Sequence, residues 1–299
     1  MLDKKSTKIK LKLIFLPFLW LSLLTALLYN VVRWILDIYL DIWPLKDSIW
    51  DLIIPLLLSV IVVIVCMRTR IRLLRFNFFK EDSANIFYLV MVLALFPPLS
   101  MSQVYLSKVS YSVIDINNVD EARQYLKQKY FRVADFNVKK QEVVSHITTE
   151  VTGKYQSELL VYLYLATPFS DANNVWLGQN FRIVIDNNLP EQKKRQQFEV
   201  FIKTSKCEYK NSGVPLADYF EYLKSSDVKS GYLQAIESSP QGYESEPYIF
   251  IAKVGTLAEA ATKQLLKTIR FFIIGMFICL LLILKAKIDK KEFQQFKVR

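Results

Sequence analysis

The run Leu13–Val32 holds 20 residues without a charge, and only Ser22, Thr25 and Asn30 within it are clearly polar. A bilayer core about 30 Å thick needs roughly 17–25 helical residues, so this one run is long enough to cross it. Ile53–Met67, Ile86–Met101 and Phe271–Leu284 are shorter apolar runs. The second gains length from Ile49, Trp50 and Leu52. The fourth gains it from Thr268 and Ile269, and Arg270 is free to snorkel towards headgroups. The expected fold is a membrane protein with four transmembrane α-helices and one α+β extracytoplasmic domain inserted between helices 3 and 4. Its parts are 1–103, a membrane region with three transmembrane helices; 104–267, the extracytoplasmic domain; and 268–299, the fourth helix with a basic cytoplasmic tail. A cleaved signal peptide is the competing reading of the first run. Against it, the run exceeds the usual h-region of about 7–15 residues, and bulky residues follow where small ones would mark a cleavage site.

Charge orients the chain. Residues 1–12 carry five Lys against Asp3, residues 67–82 five cations against two acids, and residues 285–299 six cations against two acids. These excesses of +4, +3 and +4 make up the whole formal charge of +11. The insert from 106 to 266 balances 19 Lys/Arg with 19 Asp/Glu, and the loop Asp37–Asp51 has four Asp against one Lys. Short basic loops stay in the cytoplasm, so both termini are expected inside and the insert outside. The pI near 9.3 therefore reports topology and attraction to anionic lipid, and nucleic-acid binding is not expected. Trp34, Tyr39, Trp43 and Trp50 cluster around the acidic loop as an aromatic belt would. The basic connection Arg68–Asp82, interleaved with Phe76, Phe78 and Phe79, reads either as a segment lying on the inner leaflet or as a solvated loop. Pro97-Pro98 is expected to end the third helix or kink it into a hinge.

Within the insert, Asn118-Val119-Asp120-Glu121 reads as a capped start, with Val119, Ala122, Leu126 and Tyr130 on one helical face. Glu142–Val151 alternates and predicts a strand with one exposed face. Leu159–Ala166, apolar on both faces, predicts a central strand. Further strands are expected at Phe181–Asp186, Asp218–Leu223 and Tyr248–Val254. Helices are expected from Pro190 to about Ser205 and over Val228–Ser238, the latter carrying an unwelcome Gly231. Thr256-Leu257-Ala258-Glu259 reads as a second capped start, leading without Gly or Pro into the fourth span until Gly275.

Chemistry is hard to build from these residues. His146 is the single histidine, and it lies far in sequence from Ser59, Ser100 and Ser102, so a serine dyad at membrane depth has no base. A zinc site needs more protein ligands than one His and three separated Cys supply. No phosphate-binding glycine loop and no Gly-x-Ser-x-Gly elbow occurs. Glu208, Asp218 and Glu221 could pair in space, and Tyr219, Phe220 and Tyr222 could line a pocket, but core packing is the simpler use of them. Cys207 is expected to be buried and inert. No catalytic residue, cofactor or metal is therefore expected.

Three short stretches resemble the N-terminal extension of certain bacterial rhomboid-family proteins. They are Lys10-Leu11-Lys12-Leu13-Ile14-Phe15-Leu16-Pro17-Phe18, Arg68-Thr69-Arg70-Ile71-Arg72-Leu73-Leu74 and Lys287-Ile288-Asp289-Lys290-Lys291-Glu292-Phe293. The resemblance implies a region that accompanies a six-helix protease domain bearing Gly-x-Ser-Gly and a histidine. Neither motif matches a position here, so no catalytic residue carries over. The expected function is a non-catalytic membrane protein with a sensing or binding domain. Its partners are the lipid bilayer and another membrane protein, with the ligand left open. An accessory role in a rhomboid-like protease and a plain scaffold are the alternatives.

Overall fold

A computed structural model describes residues 4–43, 45–75, 83–125, 127–212, 217–224, 226–239, 245–289 and 292–295. The chain divides into two compact units, Met1–Ser110 with Ala258–Arg299, and Tyr111–Leu257. The helices are α1 (Ser6–Tyr39), α2 (Ile49–Ile71), α3 (Ser83–Val109), α4 (Glu191–Asn211), α5 (Asp227–Glu237) and α6 (Leu257–Lys285). Four of them, α1, α2, α3 and α6, are long and apolar enough to cross a membrane. They make up the first unit, and the unit boundaries lie where α3 ends and α6 begins. Pro44, the Phe-rich part of the basic connection at 76–82, and Leu126 lie outside the described residues.

Prolines shape the helical unit by the backbone groups they leave open. Pro17 offers no N–H to the Leu13 carbonyl four residues back, and the chain there winds as a π-helix over Leu11–Phe15. Arg70 of α2 fills the gap, its Nη1 donating to the Leu13 carbonyl at 2.7 Å. Of the two outcomes expected from sequence, an end or a kink, the end does not occur: Pro97 and Pro98 both sit inside a helix of 27 residues. At that turn α6 comes close to α3 without a side chain. A Cβ placed on Gly275 would come within 2.9 Å of both the Cα and the carbonyl oxygen of Ala94, the residue four before Pro98. One turn on, the Cys279 thiol lies 3.7 Å from the Val90 carbonyl. Replacing Gly275 with Val should push α6 off α3 and cost about 1–3 kcal/mol, the usual penalty of overpacking. Thermal unfolding of the purified chain in detergent would register it, and an unchanged midpoint would refute the close approach.

The basic segments converge. Lys10, 4% exposed, donates from Nζ to the carbonyls of Leu284 (3.0 Å) and Ala286 (2.5 Å) at the C-terminal end of α6. Leu74–Arg75 pairs antiparallel with Lys287–Ile288, and Arg75 stands 3.7 Å from Asp289. Thus the N-terminal, 68–75 and tail segments share one end of the helices.

The second unit is built on a seven-stranded mixed sheet. Its strands are β1 (Val113–Ile116), β2 (Tyr130–Val133), β3 (Val144–Thr152), β4 (Glu158–Pro168), β5 (Val175–Asp186), β6 (Tyr219–Tyr222) and β7 (Tyr248–Lys253). The order is β1-β2-β6-β7-β5-β4-β3, with β1/β2 and β5/β7 parallel and the other neighbours antiparallel. The α+β class with a mixed sheet is as expected. The position of β4 is not, since it lies next to the edge and β7 holds the centre. Its apolar faces come from two helices rather than from central placement. Leu163 and Leu165 pack with Tyr209 of α4, while Tyr164 and Ala166 pack with Tyr232 of α5 on the other side. Gly231 is explained by the same contact. A Cβ there would fall 2.5 Å from ring carbons of Tyr164, so α5 can lie flat on that ring only with glycine.

A second correction concerns the Asn118 start. The cap forms, with Glu121 N donating to Asn118 Oδ1 at 3.1 Å and Asn117 N to Glu121 Oε2 at 3.1 Å. It opens only the short 3-10 turn Val119–Gln124, and Tyr130 begins β2 instead of closing a helical face. Val119 and Ala122 find enough buried neighbours against the sheet to need no longer helix.

Candidate functional site

The polar groups of the helical unit gather around Arg33, the first charge after the uncharged run. It is 1% exposed. Its Nη1 meets Asp51 at 2.6 Å, its Nε meets Asp37 at 3.3 Å, and Asp47 lies 3.9 Å from Nη2. The guanidinium also sits 5.7 Å from the Trp50 ring centroid, and the Tyr29 hydroxyl donates to the Trp50 carbonyl at 2.6 Å. Asp37 is one turn beyond Arg33 on α1, whereas Asp51 sits in the first turn of α2, where a helix N-terminus favours an acid. A guanidinium does not release its proton in proteins, so Arg33 stays charged and its ion pairs hold α1 to α2. Sequence reading takes the four Asp as a loop feature and overlooks the cation that three of them meet. The available signal is a lone Arg at the end of an uncharged helix, facing acids across a short loop.

One turn deeper, Asn30 Nδ2 donates to Ser102 Oγ at 3.0 Å, and Gln103 Nε2 donates to Ser102 Oγ (3.1 Å) and Asn30 Oδ1 (3.3 Å). Ser102 itself donates to the Leu99 carbonyl at 2.7 Å. Its hydroxyl is thus committed to the backbone, and its lone pairs face amide donors. That is the reverse of what a nucleophile requires. Ser59 is likewise spent on the Pro55 carbonyl, at 2.7 Å.

In the sheet unit, Glu221 lies between Lys129 (3.3 Å) and Lys253 (3.0 Å). Burial pushes its carboxyl up, but the two ammonium groups outweigh that and hold it below the usual carboxylate range. Asp218 accepts from the Gly255 backbone N–H at 2.6 Å, in the turn before α6. Glu208 is on α4, at the rim of an apolar groove of about 560 Å³ floored by Phe181 and Ile183 and walled by Val200 and Phe201. The three carboxylates are therefore not brought together. Phe220 is core, Tyr219 meets Tyr130 at 5.7 Å, and Tyr222 stacks on Tyr248 at 5.1 Å. Burial lifts the Tyr222 phenol to about 12. Each of these rings packs against other side chains of the unit. His146 is half-buried on β3 opposite Tyr164.

Cys207 departs from expectation. It is exposed on α4, with Asn211 Nδ2 donating to its sulfur at 3.3 Å. The apolar stripe of α4 runs through Phe201 and Tyr209, and position 207 falls off it. Among the described residues no group of three or more His, Cys, Asp or Glu could hold a metal ion. Compared with family models, curated proteins and solved structures, the chain matches none.

Proposed function

We propose that this chain is a multi-pass membrane protein whose Tyr111–Leu257 unit stands outside the cytoplasm as a binding domain and works through a partner in the membrane. The observation that carries the reading is the polarity of the helical unit. Its basic segments meet at one end, through Lys10, Arg70 and the Leu74–Arg75 pairing with the tail. Its acidic loop, with Asp37, Asp47 and Asp51 gathered on Arg33, closes the other. Four crossings with the basic end inside leave the sheet unit outside. Ser59 and Ser102 donate to backbone carbonyls and Glu221 is held between two lysines, which favours binding over chemistry. The unbroken 29-residue helix α6, which begins at the last residue of the sheet unit, gives a bound state a direct route to the apolar spans.

The topology can be read without adding a probe site, because Cys207 is exposed. In intact cells a membrane-impermeant maleimide should label the wild-type chain and fail to label Cys207→Ser. In a background with Cys66→Ser and Cys207→Ser, Ser6→Cys should label only after permeabilisation. Ser225, a second natural place for a reporter, lies outside the described residues. Labelling of Ser6→Cys in intact cells, or protection of Cys207, would overturn the orientation.

A further inference from the structure

Strand β3 ends the sheet, and among the described residues no strand pairs with its outer side. Its nine residues pair with β4 in unbroken register, from Val144 opposite Ala166 to Thr152 opposite Glu158. Natural edge strands are usually blunted by proline, lysine, a bulge or shortness. The opposite edge, β1, follows this rule. It has four residues, and Asp115 is engaged by Arg132 at 3.0 Å. Val144–Thr152 has no proline, lysine or bulge and is nine residues long; its one carboxylate is Glu150, and Thr148 through Val151 are exposed.

The sequence of this edge is complementary to itself. Laid antiparallel on a second copy with Thr148 opposite Thr148, it sets His146 opposite Glu150 and Val144 opposite Thr152 on one face. On the other face, Ile147 meets Thr149 and Ser145 meets Val151. The imidazole N–H and the carboxylate then form a cross-strand pair, and two-fold symmetry makes it twice. An axis through residue 150 would instead oppose Glu150 to itself, and one through 146 would oppose His146 to itself. We propose that β3 is a docking surface for β3 of a second copy of this chain, in the register centred on Thr148.

The test uses the purified full-length chain with Cys66→Ser and Cys207→Ser, so that its side of the membrane does not enter. Thr148→Cys should give a disulfide-linked dimer on mild oxidation. Thr152→Cys should not, since its symmetry mate would stand roughly 27 Å away along the strands. His146→Glu, added to Thr148→Cys, should lower the dimer yield several-fold, and His146→Glu with Glu150→Lys should restore it. That restoration, together with circular dichroism of each variant, separates loss of pairing from loss of folding. Cross-linking of Thr148→Cys no better than of Thr152→Cys, or no recovery in the double variant, overturns the proposal. So does a monomeric Thr148→Cys chain whose introduced thiol resists a soluble maleimide, which would show another strand on this edge.

Discussion

Arg33→Met should destabilise the helical unit by about 3 kcal/mol, since removing one partner of a buried ion pair leaves uncompensated charge behind. Three carboxylates would lose their common cation, and Asp51, at 2.6 Å, would lose most. The lower end of the usual range of roughly 3–5 kcal/mol applies because the Asp side chains keep some contact with water. Asp37, Asp51 and Asp47 are 20%, 26% and 42% exposed. Arg33→Lys keeps the charge but not the planar fork that engages two carboxylates, so it should fall between Met and wild type. Denaturant unfolding of the detergent-solubilised chain measures all three. If Arg33→Met unfolds with wild-type stability, the cluster is not what joins α1 to α2.

Phe220→Ala should have the largest effect in the sheet unit, about 3–5 kcal/mol. Phe220 is 1% exposed and meets three rings edge-on: Phe136 at 4.8 Å, Phe169 at 6.1 Å and Phe250 at 6.4 Å. Truncation removes a large buried side chain and its edge-to-face contacts with these rings. Phe220→Leu retains most of the volume and should cost under about 1.5 kcal/mol. Trp176, 4% exposed, is the only tryptophan of this unit, so its fluorescence can follow the transition once Trp20, Trp34, Trp43 and Trp50 are replaced. A loss below about 1 kcal/mol for Ala would mean the ring cluster collapses to fill the gap.

The long apolar runs and the alternating strands are legible because their periods are local. A 20-residue uncharged run, or the alternation from Val143 to Val151, needs no knowledge of neighbours. Errors arise where a distant residue decides the outcome. Pro97-Pro98 reads as a stop or a kink, and nothing local says that the helix runs on to Val109. Leu159–Ala166 reads as central until α4 and α5 are seen to cover its two faces. The Asn118 cap is legible, but nothing local states that Tyr130 prefers a strand partner in Val113 over a further helical turn. As for the candidate site, the acids around Asp37–Asp51 are visible in the sequence and their cation is not. Ion pairing across a loop depends on α1 and α2 returning side by side.

The Lys10 contacts also set an order of events. Their acceptors are the carbonyls of Leu284 and Ala286, near the opposite end of the chain. On a ribosome, Lys10 emerges long before those carbonyls exist. At roughly 5–20 residues per second, synthesis from Val109 to Lys285 takes on the order of tens of seconds. The first three long helices and the sheet unit are therefore synthesised while Lys10 still lacks these acceptors. The ammonium group finds its acceptors only when α6 is finished, so Lys10 waits on residues made more than 270 positions after it.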